Sequence, residues 1–167
     1  MKRLVTLAIL AAMAFCSCTK DNEVVYTLEE IGKMGISVDL AYCGWSEVYN
    51  DTKETVTLIT SYPMPVRIEP VTSVIKPGDF VKLMNGVMLY GKSIDECNTA
   101  SIILGDGTEI LCSQKKDDNW SQYFFENFDQ RVEPEITTVF DKKVRIDHIV
   151  KAYHIDDALI EISGAKH

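Results

Sequence analysis

Val71-Thr72-Ser73-Val74-Ile75-Lys76-Pro77-Gly78-Asp79-Phe80-Val81-Lys82-Leu83-Met84-Asn85-Gly86-Val87-Met88-Leu89-Tyr90 contains three short apolar runs separated by two turn signals. In Lys76-Pro77-Gly78-Asp79 the proline presets φ at the first central position. The glycine accepts φ > 0 at the second, as a type II turn requires. Asn85-Gly86 between two apolar runs is the strongest short-range hairpin signal. Strand, tight turn, strand, tight turn, strand is the reading, and it predicts antiparallel β-structure.

Moving toward the C-terminus, Gly105-Asp106-Gly107 sits between Ile102-Ile103-Leu104 and Ile110-Leu111 and repeats the hairpin pattern. Val144, Ile146, His148, Val150 and Ala152 alternate with Arg145, Asp147, Ile149, Lys151 and Tyr153, which predicts a long strand burying mainly the first set. Strands are expected near Val24 to Leu28, Ile36 to Tyr42, Thr55 to Tyr62, Val71 to Ile75, Phe80 to Met84, Val87 to Tyr90, Ser101 to Leu104, Glu109 to Cys112, Val144 to His154 and Leu159 to Ile162. Helix is scarce. Ser93 to Glu96 has capping-box spacing, and Asp118 to Gln130 reads equally as a short helix or an irregular loop. The expected fold is all-β, an immunoglobulin-like antiparallel sandwich with at most one or two short helices, forming a single domain over residues 24–167.

The N-terminus has a different composition. Met1, Lys2 and Arg3 precede the uncharged apolar run Leu4 to Ala14, the layout of a secretory signal. The run is too short for a spanning helix, which needs about 20 apolar residues. It ends Phe15-Cys16-Ser17-Cys18, which resembles a bacterial lipobox, with the small Ser17 before the cut and bulky Phe15 arguing against a cut before Cys16. That resemblance implies a signal peptide over 1–17, a diacylglycerol on the Cys18 sulfur with further acylation such as palmitate, and a flexible tether over 18–23. Thr19-Lys20-Asp21-Asn22-Glu23 resembles the short acidic export signals of Bacteroidetes surface lipoproteins, implying an outer-membrane location facing the exterior. Val71 to Ile162 is similar to the small immunoglobulin-like domains of such lipoproteins, from which no activity carries over.

The chain has 167 residues and a net charge of −8, with 46% hydrophobic and 25% charged residues, the composition of a globular protein. Losing Lys2 and Arg3 with the leader leaves 15 basic against 25 acidic residues, or −10. An acidic surface argues against a nucleic-acid partner and against adhesion to anionic headgroups. Beyond Cys16 and Cys18 stand Cys43, Cys97 and Cys112, so at most one bridge forms within a chain, and the sequence does not choose the pair.

No reactive constellation stands out. His148 and His154 share a strand face but lie about 20 Å apart along a straight strand, too far to ligate one ion. Asp117-Asp118-Asn119 and Asp156-Asp157 lack calcium-loop spacing. Glu29-Glu30 and Glu133 with Glu135 lie in polar stretches where nothing suggests raised acidity constants, and Cys43 has no nucleophile signature. The aromatic cluster Trp120, Tyr123, Phe124, Phe125 and Phe128 offers a ligand platform, with Trp120 and Tyr123 expected at the surface because each has a polar handle. The expectation is a non-enzymatic lipoprotein without catalytic residues, metal or cofactor, held to the membrane by its lipid anchor and binding a glycan or a protein. The alternatives are a structural subunit of a surface assembly, or a lipid-anchored hydrolase or inhibitor.

Overall fold

The computed structural model describes residues 24–36, 44–62, 69–84, 94 and 97–165. The leader and tether, Cys18, Cys43, the Asn85-Gly86 turn, most of Ser93 to Glu96, the strand expected at Val87 to Tyr90 and all but the first residue of that expected at Ile36 to Tyr42 lie outside them. The chain is mostly β. Its strands are β1 (Val25–Thr27), β2 (Gly44–Asn50), β3 (Val56–Ser61), β4 (Val71–Ile75), β5 (Phe80–Met84), β6 (Thr99–Ile103), β7 (Glu109–Ser113), β8 (Phe128–Val139) and β9 (Lys142–Ile155). Three helices are described: α1 (Leu28–Lys33), α2 (Asn119–Glu126) and α3 (Asp157–Ser163).

Two compact units divide the chain: residues 1–38 with 136–145, and residues 39–135 with 146–167. In the first, β1 runs parallel to the start of β9, with Val25 opposite Lys143 and Thr27 opposite Arg145. Thr27 and Glu30 form a capping box that starts α1: Thr27 Oγ1 accepts from the Glu30 amide, and Glu30 accepts from the Thr27 amide at 2.8 Å. That backbone hydrogen bond, the hydroxyl of Thr27 and the charge of Lys33 hold the Glu30 carboxyl below its ordinary value. Ile31 and Val144 are fully buried here.

In the second unit two sheets share one hydrophobic core. The smaller is antiparallel throughout, in the order β4-β3-β6-β7, and β3 buries Val56, Leu58 and Thr60 at every second position. Its hairpin at Gly105-Asp106-Gly107 closes as expected, with Gly107 at φ +87°. In the larger sheet β2 pairs antiparallel with β5 but parallel with β9, which also pairs β8. Gly44 permits the close approach of β2 to β9, since a Cβ there would lie 2.6 Å from the Ile149 carbonyl oxygen. The core takes Val48, Leu83, Tyr153 and Ile155 from this sheet, Leu58, Ile75, Ile102 and Ile110 from the other, and Phe124, Leu159 and Ile160 from α2 and α3.

The Lys76-Pro77-Gly78-Asp79 turn forms as read: Gly78 is at φ +75° and the Asp79 amide donates to the Lys76 carbonyl at 3.0 Å. Asn50, fully buried, ties this turn to its neighbours. Its Nδ2 donates to the carbonyls of Glu54 and Ile75 at 2.7 and 2.9 Å, and its Oδ1 accepts from the amide and hydroxyl of Thr52. Every hydrogen-bonding site of the amide is used, as burial demands.

Four expectations are corrected. The larger sheet is mixed rather than antiparallel, because β9 takes parallel partners. There are three helices among the described residues, more than the one or two expected. The strand expected at Leu159 to Ile162 is helical: Asp156 accepts from the Leu159 amide at 2.8 Å as an N-cap, and Gly164 takes φ +73° to end the helix. Val24 to Leu28 is strand only to Thr27, where the capping box starts α1.

Candidate functional site

The face of the larger sheet turned away from the core carries a connected polar network. Because Val48 points into the core opposite Val81 and Tyr153, the alternate residues Trp45, Glu47 and Tyr49 point the other way. Their neighbours there are Phe80 and Lys82 of β5, and Val150, Ala152 and His154 of β9.

Glu47 is the centre of this network and is only 4% exposed. Its Oε1 accepts from the Trp45 indole at 2.9 Å, and its Oε2 accepts from the Tyr49 hydroxyl and from Arg131 of β8, each at 2.7 Å. Arg131 also donates to Glu133 at 2.8 Å. Burial pushes the Glu47 carboxyl up, but the bonds from Trp45, Arg131 and Tyr49 and the charge of Arg131 outweigh it and hold the group below its ordinary value. The bond to Glu47, with burial, pushes the Tyr49 hydroxyl up. Lys82 Nζ lies 3.4 Å from the Trp45 ring centroid, a cation–π contact. Tyr49 stacks between Phe80 at 4.9 Å and His154 at 5.4 Å.

The two histidines do not converge. His148 is buried against Trp45, with ring centroids 5.2 Å apart, and its Nε2 pairs with Glu135 at 2.8 Å. His154 Nδ1 pairs with Asp51 at 2.6 Å, and its Nε2 faces Asp129 at 3.6 Å. Among the described residues, no three His, Cys, Asp or Glu side chains gather as metal ligands. The acidic pairs are committed locally: Glu29 to Lys33, Glu30 to its capping box, Glu133 to Arg131 and Glu135 to His148. Asp118 and Asp156 cap α2 and α3. A carboxylate saturated with donors and kept ionised suits electrostatic positioning better than proton transfer.

Trp120 and Tyr123 are both half-buried on α2 and packed against the core. Their polar handles are satisfied internally: the Trp120 indole donates to the Leu111 carbonyl at 3.1 Å, and the Tyr123 hydroxyl donates to Asp156 at 2.9 Å. They line separate depressions. Trp120 borders one of about 360 Å³ with Leu111 and Lys116, and Tyr123 borders one of about 490 Å³ with Asn119, Gln122 and Glu126. Burial, followed by the bond to Asp156, pushes the Tyr123 hydroxyl up.

Cys97 and Cys112 are buried in the core, 1% and 0% exposed. Burial, and then the charges of Asp118 and Cys97, push the Cys112 thiol up to about 12. Since the thiolate is the nucleophile, Cys112 is expected to resist iodoacetamide at pH 8 in the native protein and to react once unfolded. Mass analysis of native and denatured samples checks this, and native labelling of Cys112 would contradict it.

Glu47, Tyr49 and Arg131 did not stand out in the sequence. The available signal was Trp45-x-Glu47-x-Tyr49, which a strand places on one face. Compared with known proteins, the chain matches no protein-family model, no curated protein and no solved structure.

Proposed function

We propose that this chain is a lipid-anchored envelope protein whose β-rich part acts as a non-enzymatic binding or accessory module. The observation that carries the reading is the Ser17-Cys18 pair at the end of a short basic and apolar leader. Stable anchoring takes two membrane signals, and multiple acyl chains on one cysteine supply them. The polar run Thr19 to Glu23 supports display on the outer face of the outer membrane. Trp120 and Tyr123, beside their two depressions, are the surface assigned to a glycan or protein ligand.

The finer architectural reading, an immunoglobulin-like sandwich, belongs to the same proposal. It is supported by two sheets sharing one core, and the parallel pairing of β2 with β9 counts against it. The anchor is tested by growing cells on an alkynyl fatty acid and comparing the parent with Cys18→Ala. The parent is expected to carry the label in the membrane fraction. Equal labelling of Cys18→Ala, or none in the parent, sinks the anchor.

A further inference from the structure

The described residues of the smaller unit are rich in exposed apolar side chains. It holds five of the eleven exposed large hydrophobic side chains, Val24, Val25, Met34, Ile136 and Phe140, although it supplies only 23 of the 118 described residues. Phe140 is the most exposed of all, at 75%. Singly exposed apolar side chains are ordinary; Phe140 is distinguished by its backbone and by the charges beside it.

Phe140 and Asp141 form the two-residue connection between β8 and β9, with φ of +46° and +62°. Turns with two positive φ angles favour Asn-Gly, and a bulky residue there is strained. Such strain persists where something else compensates. Burial within the chain does not compensate here, because the ring is three-quarters in solvent. Beside it the strand begins Lys142-Lys143-Val144-Arg145, so residues 140–145 carry three basic groups against one acidic, in a chain of net charge −8. Lys142 and Lys143 are half-buried and Arg145 is exposed.

The parallel register of β1 gives this tip a direction. Val25 lies opposite Lys143 and Thr27 opposite Arg145, so the chain enters β1 from the end of β9 that holds the Phe140 turn. Cys18 is seven residues before Val25, a reach of at most about 25 Å. Phe140 is three residues before Lys143, about 10 Å along the strand.

We infer that the β8–β9 turn is a membrane-docking tip: Phe140 enters the headgroup region of a bilayer containing anionic lipids, with Lys142, Lys143 and Arg145 against the headgroups. The inference rests on the anchor reading for its biological setting, but the docking chemistry belongs to the tip. The net negative charge of the chain, which argues against adhesion overall, does not extend to this turn.

The test uses the full chain with and without Cys18→Ser, carrying a benzoylphenylalanine photo-cross-linker at position 140 or, as a control, at position 80. Each is irradiated with vesicles of phosphatidylcholine alone or mixed equally with phosphatidylglycerol. Phospholipid adducts are expected at position 140 in both chains, more with the anionic mixture, and few at position 80. Failure of the anchor shows separately, as an unacylated Cys18, and leaves the Cys18→Ser arm intact. A second variant, Phe140→Asn in the Cys18→Ser chain, is expected to bind the mixed vesicles about tenfold more weakly, while its Tm rises because asparagine tolerates positive φ. A purely structural role would lower Tm instead. Adducts that require Cys18, adducts equal at positions 80 and 140, or unchanged vesicle binding by Phe140→Asn would overturn the inference and point to a protein partner for the patch.

Discussion

Glu47→Ala is expected to lower the unfolding free energy by about 2–3 kcal/mol, because it removes the common acceptor of three donors. The Trp45 indole, the Tyr49 hydroxyl and Arg131 all end on this nearly buried carboxylate. Breaking a fully buried ion pair costs more, about 3–5 kcal/mol, but Arg131 is 41% exposed and retains Glu133, so water recovers part of the loss. Glu47→Gln should fall between parent and Glu47→Ala, since an amide oxygen still accepts while the charge is gone. The pH dependence follows from the direction of the shift. The folded carboxyl titrates below its ordinary value of 4.5, so its contribution is fully present above that value and is lost as pH falls through the lower, folded one. Urea unfolding of parent and Glu47→Gln at pH 7 and pH 3 checks this. The gap between them should narrow at pH 3, and a gap that widens would contradict the assignment.

Phe124→Ala should be more damaging, at about 3–5 kcal/mol, the range for emptying a large aromatic site in a core. The ring is fully buried, 5.2 Å from Phe125 and 6.1 Å from Tyr153. It comes from α2 and is buried with core side chains of both sheets and α3, so its loss weakens several elements together. Phe124→Leu keeps much of the volume and should cost less than about 1.5 kcal/mol. Denaturant midpoints measure both, and an unchanged slope would show that the folded state keeps its compactness.

Elements whose local chemistry was unambiguous were legible in the sequence. The Pro-Gly turn between β4 and β5 and the Gly-Asp-Gly turn between β6 and β7 form because few other conformations suit those residues. The long strand near the C-terminus also forms, with Val144, His148, Val150 and Ala152 buried as read, but Ile146 is only half-buried and Tyr153, read to the other face, lies in the core. β2 was not legible, because both of its faces are covered and the covered residues include Ser46, Glu47 and Asn50. A strand that buries polar groups shows no hydrophobic alternation; long-range partners stabilise it. β8 escaped for a different reason: it is largely exposed, highly charged and contains Pro134, which within sheets suits an edge or a bulge. The misread final segment did carry a helix signature, an aspartate N-cap with a glycine eight residues on, but the apolar Ala158-Leu159-Ile160 followed by Ile162 suggested a strand. The Glu47 network was hidden with β2, since its partner Arg131 is 84 residues away in sequence.

The parallel pairing of β2 with β9 also constrains the order of events during synthesis. Gly44 to Asn50 finds its partner only at Ile149 to Ile155, about 100 residues later in the chain. Closing so long a loop carries an entropic cost and slows folding. A nascent chain can assemble the all-antiparallel sheet once β7 has emerged, but the larger sheet must wait for β9 and stays incomplete until that strand has been made. For a protein that we propose crosses a membrane before folding, that delay is an asset: the larger sheet cannot close ahead of the strand that completes it, so β2 stays threadable while the intervening chain follows.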